Sequence, residues 1–318
     1  MISGAIVRTI AGDISPANLG RTNYHEHAFQ VTPLLVGDEL NSTEKSAKEF
    51  LRLANSGFDA YLDATPLGLG RRPEEISKIA DASGLKIVHA TGVHKEAHYA
   101  GKHRITSCSV DELVELFNYE IKTGMLKDDS LLSIEPSNTS AIKAGFIKFG
   151  ISNEPLTDFE KRALQAAAQI SAQSGIAIMV HTDAASEIFG ILDQLESFGL
   201  DLSKVVMAHI DRRPDLKFHS EIVKRGALLG YDGAGRSQYF PDEVLIELFA
   251  EMANLGLESK ILLGGDVARS SRYIEYGGGP GLSYLGDSFL PALRERTSEE
   301  IVSKVLTTNP ANWLAFNP

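Results

Sequence analysis

A single cysteine, Cys108, stands among the 318 residues. No intramolecular disulfide can form, which excludes the disulfide-stapled scaffolds of small secreted domains. Basic residues are also in deficit, 31 Lys and Arg against 42 Asp and Glu, for a net charge of -11. That balance argues against nucleic acid or an anionic membrane as a partner, although positive charge gathered locally can still receive a small anion. No apolar run approaches the ~20 residues of a membrane-spanning helix. No signal-peptide pattern opens the chain, and there is no linker or low-complexity tract. No glycine fingerprint follows the first strand, which weakens a doubly wound dinucleotide fold. The expectation is a soluble, cytoplasmic protein with no nucleic-acid and no membrane partner.

What is present is an alternation. Apolar runs rich in β-branched residues, "TNYHEHAF", "FDAYLDATP", "LKIVHATGV", "AGFIKFGIS", "IAIMVHTD", "KVVMAHID", "GALLGYDG" and "KILLGGD", are separated by helical patterns such as "SVDELVELFNYEIKTG" and "TDFEKRALQAAAQISAQSG". Several helices open on Ser, Thr or Asp and close on Gly. Strands apolar along their whole length, each followed by a helix, imply a buried parallel sheet. Eight such units over ~250 residues predict an α/β fold, a single (β/α)8 TIM barrel spanning residues 1–318 as one domain. "AIVRTIAGDISPANLG" reads as a short N-terminal β-hairpin against the bottom or side of the barrel. "SEEIVSKVLTTNPANWL" reads as a C-terminal helix anchored by Trp313.

The strands end in unusual residues. The first closes on the HxH of His25 and His27, the fourth on Lys148, the fifth on His181, the sixth on His209 and the eighth on Asp266. In a barrel all these ends converge on one mouth, where catalytic groups collect. In an extended segment an HxH aims both rings at one point, although a pair of surface histidines on an edge strand gives the same pattern. Taken singly, His181 or His209 reads as a hydrogen-bonded core histidine and Asp266 as a turn cap. Lys148, flanked by Ile, Phe and Gly, is harder to place, because burying an ammonium is costly. Two solutions are open: an ion pair with Asp266, or a depressed amine pKa that lets the side chain add CO2 as a carbamate.

Together "NYHEHAF", "AGFIKFG", "VHTD", "AHID", "GGDVAR" and "NPANWL" resemble the phosphotriesterase-like branch of the amidohydrolase superfamily over nearly the whole chain. The resemblance implies two divalent metal ions. His25, His27 and Asp266 match the ligands of the buried one and His181 and His209 those of the exposed one. Lys148, N-carboxylated, matches the bridging lysine. Zinc suits the imidazole and carboxylate donors, and manganese and cobalt are compatible with them. In the implied chemistry a hydroxide bridges the cations, one metal polarises the substrate, and Asp266 orients the hydroxide and shuttles its proton.

Substrate choice lies in the loops. Loops seven and eight supply Arg236, Arg269 and Arg272, with Tyr273 beside them. Guanidinium groups there suit a small-molecule anionic substrate, and their alternative is ion pairing with Asp232, Asp242 or Glu275. The pattern resembles the branch that opens phosphorylated sugar lactones, in which Arg236 and Arg269 match phosphate-gripping positions. "TGVHKEAHYAG" adds His94, Lys95 and Tyr99 near the mouth, with Tyr99 a candidate for substrate contact or packing. "YGGGPGLSYLG" lacks a P-loop lysine and reads as a flap. The expected function is a metal-dependent hydrolase of a phosphorylated sugar 1,4-lactone. The alternatives are an organophosphate triester, an acyl-homoserine lactone or a carboxylate ester, and less favoured is a non-catalytic metabolite-binding barrel. The resemblance also implies a homodimer.

Overall fold

A computed structural model describes residues 4–99, 101, 103–153, 155–183 and 187–318. All eight apolar runs become parallel strands of one sheet, in sequential order. These are β3 (Thr22–Glu26), β4 (Ala60–Asp63), β5 (Lys86–Val93), β6 (Phe146–Gly150), β7 (Ile178–His181), β8 (Val205–Ala208), β9 (Leu228–Tyr231) and β10 (Ile261–Leu263). The ring between β10 and β3 is joined just beyond the strand ends: Asp266 N donates to His25 O at 2.9 Å, and Val267 N donates to Glu26 Oε2 at 2.9 Å. The expected hairpin is present as β1 (Val7–Thr9) paired antiparallel with β2 (Gly12–Ile14).

Between strands run α1 (Thr43–Asn55), α2 (Pro73–Ser83), α3 (Val110–Lys122), α4 (Asp158–Ser174), α5 (Ile188–Ser197), α6 (Leu216–Lys224) and α7 (Asp242–Asn254), with α8 (Leu290–Arg296) after β10. The expected terminal helix is two, α9 (Glu299–Leu306) and α10 (Thr308–Leu314). "TTNPANWL" breaks it because Pro310 cannot donate to a continuous ladder. Capping chemistry sets several starts: Thr157 and Glu160 form a reciprocal capping box on α4. Thr157→Ala is therefore expected to cost about 1 kcal/mol and to lower the Tm by roughly 2 °C in a chain of this size, measurable by calorimetry.

Strand periodicity divides the core. Outward side chains such as Ile147, Phe149, Ile178 and Val180 pack under the helices. Inward ones, among them Ala60, Leu62, Phe146, Met179, Val206 and Leu262, fill the barrel, with Trp313 and Leu314 joining them. Because alternate residues share a face, the inward position two beyond Phe146 is Lys148, and the one two beyond Met179 is His181. The same step carries Leu262 through Gly264 to Asp266. The chemistry sits on top of the apolar plug because the inward register continues past it.

Candidate metal centre

The strand ends bring the sequence-predicted metal residues together. His25, His27, Lys148, His209 and Asp266 are buried, and the His181 side chain retains 12% exposure. His25 Nε2 and His27 Nε2 each lie 3.5 Å from Asp266 Oδ1. His209 Nε2 lies 2.8 Å from His181 Nδ1. The Lys148 amine finds His25 Nε2 at 3.3 Å. The ion pair between Lys148 and Asp266 does not form; Asp266 Oδ2 turns instead to Arg236, 2.5 Å away. Gly92, at φ +104°, faces Lys148 across the sheet, and a Cβ there would lie 1.9 Å from the Lys148 carbonyl oxygen. The glycine of "HATGV" thus lets β5 and β6 close up behind the lysine.

Hydrogen bonds fix which ring nitrogen faces inward. Asp232 accepts from His25 Nδ1 at 3.1 Å and from His209 Nδ1 at 2.6 Å. An ionised carboxylate only accepts, so both Nδ1 atoms carry the proton, and in the neutral ring this leaves Nε2 bare. The Thr65 hydroxyl donates to Phe29 O at 2.8 Å. It must therefore accept from His27 Nδ1, 2.9 Å away, which leaves His27 Nε2 bare as well. Burial pushes the His27 imidazole down to about 4 and His209 to about 3, keeping both neutral. Burial works against the Asp266 carboxylate, but the Arg236 guanidinium beside it outweighs burial and holds the group well below the usual carboxylate range. Neutral imidazoles with inward lone pairs around an ionised carboxylate are the donor set a divalent cation requires. His25, His27 and Asp266 offer donor atoms within 4.8 Å of one another. The buried His181 Nε2 has no hydrogen-bond partner. The residues present fit metal.

Strain marks the same place. Among the described residues the non-glycine positions with positive φ are Leu132, His209 at +63° and Asp266 at +44°. Two of the three are candidate ligands, and holding such conformations costs of order 1–3 kcal/mol each.

Asp232 is the principal residue that the sequence does not single out; its sequence position suggests only a partner for loop arginines. Besides both histidines it accepts from the Tyr24 hydroxyl and from His209 N at 3.3 Å. Tyr24 reaches it because residue 230 is glycine: a Cβ there would lie 2.1 Å from the phenol oxygen. The available signal was the strand period, since Leu228, Gly230 and Asp232 share the inward face.

Above this cluster opens a cavity of about 410 Å³, lined by His27, Lys148, His181 and Asp266 together with Arg212, Arg236, Arg269 and Arg272. His94, Lys95 and His98 also line it, the His94 ring 4.4 Å from that of His181. The three loop arginines avoid the partners considered for them. Arg236 binds Asp266 Oδ2, Arg272 donates to Asp266 O at 3.3 Å, and Arg269 is 54% exposed with Asp38 3.9 Å away. Arg236 Nε and Arg272 Nη2 are buried without hydrogen-bond partners. Arg212, absent from the sequence reading, has Nη2 3.6 Å from Asp266 Oδ2 and its guanidinium over the Tyr239 ring.

The two tyrosines fall elsewhere. Tyr273 is fully buried and donates to His27 O at 2.6 Å, supporting the ligand strand from behind. Tyr99 is buried and donates to Leu67 O at 2.9 Å while accepting from His94 N. Neither lines the cavity, because an apolar ring beside a free backbone carbonyl is more stable turned into the core. The glycine-rich segment expected to cover the site is instead tied to α1, where Leu282 N donates to Glu49 Oε1 at 2.9 Å.

A parallel barrel whose mouth gathers neutral histidines, an ionised aspartate and a buried lysine defines a metal-dependent hydrolase. The chain belongs to the phosphotriesterase family, whose model matches residues 5–314. It is 30% identical to a phospho-furanose lactonase of Mycoplasmopsis synoviae, over 98% of this chain and 92% of that one. It is 28% identical to the human N-acetyltaurine hydrolase over 98% of both chains. The fold superposes on a Listeria monocytogenes lactonase with a TM-score of 0.90 at 28% identity, covering 98% of this chain and all of that one. Among the described residues no helix is long and apolar enough to cross a membrane.

Proposed function

We propose that this enzyme is a binuclear hydrolase that opens a phosphorylated sugar 1,4-lactone. His25, His27 and Asp266 would hold one cation and His181 and His209 the second, zinc being the best match to these donors. Lys148 would stand between them as its carbamate: the neutral amine adds CO2 and releases a proton, and burial, which brings Lys148 down to about 8, favours the neutral amine. Divalent cations at such a site supply Lewis acidity toward the lactone carbonyl and lower the pKa of water. Asp266 orients the attacking water and carries its proton to the ring oxygen released when the C1–O bond breaks. Arg236, Arg269 and Arg272 hold the phosphate, bidentate donation suiting its oxygens.

The observation that carries this reading is the pair of buried, unpartnered nitrogens, Arg236 Nε and Arg272 Nη2, on residues lining the same cavity as the metal ligands. Buried guanidinium N–H groups left unpaired are costly, and an anion relieves them. The similarity to a phospho-furanose lactonase supports the phosphate. A second reading, hydrolysis of the amide of a sulfonated amine, is favoured by the similarity to N-acetyltaurine hydrolase. The test is a pH-indicator assay over 1,4-lactones with and without a 5-phosphate, alongside N-acetyltaurine. The lactonase reading expects the phosphorylated lactones to be turned over fastest; preference for N-acetyltaurine overturns it. Arg269→Ala, at an exposed position, is expected to raise KM for the phosphorylated lactone about tenfold or more, the value of a charge-assisted hydrogen bond. The unphosphorylated analogue should be unaffected, and equal losses on both would remove the clamp.

A further inference from the structure

At the opposite end of the barrel from the metal centre lies a second cavity, of about 260 Å³, lined by Lys204, Lys260, Lys304, Ser203, Asn309 and Trp313 among others. Its lysines come from three separate elements. Lys204 directly precedes β8, Lys260 directly precedes β10, and Lys304 lies on α9. The walls are pinned: Trp313 Nε1 donates to Lys204 O at 2.9 Å, and Asn309 Nδ2 donates to Glu258 O and Ile261 O at 2.8 Å.

The amines are only partly used. Lys204 Nζ donates to Ala315 O at 2.5 Å and Trp313 O at 3.5 Å, Lys260 Nζ to Gly226 O at 3.0 Å, and Lys304 Nζ to Glu258 Oε1 at 2.6 Å. Each ammonium carries three N–H groups, so the partners among the described residues take four of the nine. Backbone carbonyls satisfy a donor without cancelling its charge. Glu258 pairs with Lys304, and Asp201 acts on Lys204 without reaching ion-pair distance. Three lysines from three separate elements thus line one cavity, and only Lys304 among them is paired with a carboxylate within ion-pair distance among the described residues. We propose that this cavity binds a small phosphate-bearing anion, either inorganic phosphate or a compact phosphomonoester, which would tie α9 and the C-terminal segment to the strand ends of β8 and β10. The proposal does not rest on the reading of the mouth.

The test is isothermal titration calorimetry of the metal-loaded enzyme with inorganic phosphate and, separately, ribose 5-phosphate, with succinate as a non-phosphate anion. Competitive inhibition of hydrolysis reports any binding at the mouth. Wild type is expected to show a saturable event without matching inhibition, weaker or absent for succinate. Lys260→Gln with Lys304→Gln should weaken that event roughly tenfold or more, since hydrogen bonds to charged groups are lost, and leave kcat/KM unchanged. Lys260→Arg with Lys304→Arg should retain it. If the double glutamine variant does not fold, Lys304→Gln alone, at a partly exposed side chain, should still weaken it measurably. Preference between phosphate and ribose 5-phosphate identifies the source of the anion. Binding that always tracks inhibition, or that survives loss of both lysines, overturns the proposal.

Discussion

Lys148→Ala is expected to lower kcat/KM by on the order of a thousandfold and to reduce bound metal in the same preparation. Cations at a hydrolytic centre contribute several kcal/mol to the transition state, and ~1.4 kcal/mol corresponds to tenfold in rate. Lys148 lies fully buried on the inward face of β6, with His25 Nε2 at 3.3 Å. Removing it deletes a costly buried amine and leaves no unpaired charge behind, so the barrel should still fold, and circular dichroism checks this. If the side chain acts as a carbamate, short-chain carboxylic acids should diffuse into the vacated space and restore part of both activity and metal. A variant with full metal content and full activity would show that Lys148 is a packed residue and nothing more.

Asp232→Asn should be nearly as damaging, although Asp232 is not among the residues lining the mouth cavity. Its carboxylate accepts from the Nδ1 of His25 and of His209, one from each proposed ligand set. Asparagine offers one accepting oxygen and one donating amide, so one of the two rings must lose its partner or change tautomer. An outer partner of a metal-bound histidine is worth 10–100-fold in affinity or activity, and here two rings depend on one group, so a loss of roughly 10²–10³ is expected. The measurement is a chelator titration of metal alongside kcat/KM. Tyr24→Phe, which removes only the hydroxyl donated to Asp232, should do much less. Wild-type metal affinity in Asp232→Asn would mean the rings are held by packing.

Much of this architecture is legible in the chain because the two periodicities carry it. Apolar strands followed by capped helices give the barrel, and the inward step of two residues past Phe146, Met179 and Leu262 leads to Lys148, His181 and Asp266. Asp232 obeys the same rule through Leu228 and Gly230, but an aspartate before glycine reads equally well as a turn, and nothing local reveals that it faces two histidines from distant strands. The arginines show where sequence reasoning runs short. Loop position brings Arg236, Arg269 and Arg272 to one mouth, but which carboxylate each meets depends on side-chain geometry: Arg236 folds onto Asp266, a candidate ligand, rather than onto Asp232, Asp242 or Glu275. Arg212 was hidden because it follows a strand end already accounted for by His209. Tyr99 and Tyr273 have the amphipathic character of substrate-contact residues, yet each hydroxyl finds a backbone carbonyl inside the core.

The central claim is that bare imidazole nitrogens, Asp266 and Lys148 surround a pair of cations. Anomalous-scattering maps from crystals of metal-supplemented protein, collected on both sides of the zinc edge, test it most directly. The account predicts two peaks at the barrel mouth, one beside His25, His27 and Asp266 and one beside His181 and His209, with density for a carboxyl group on Lys148 between them. A mouth with no anomalous peak, or with the histidines turned from one another around solvent, would contradict it.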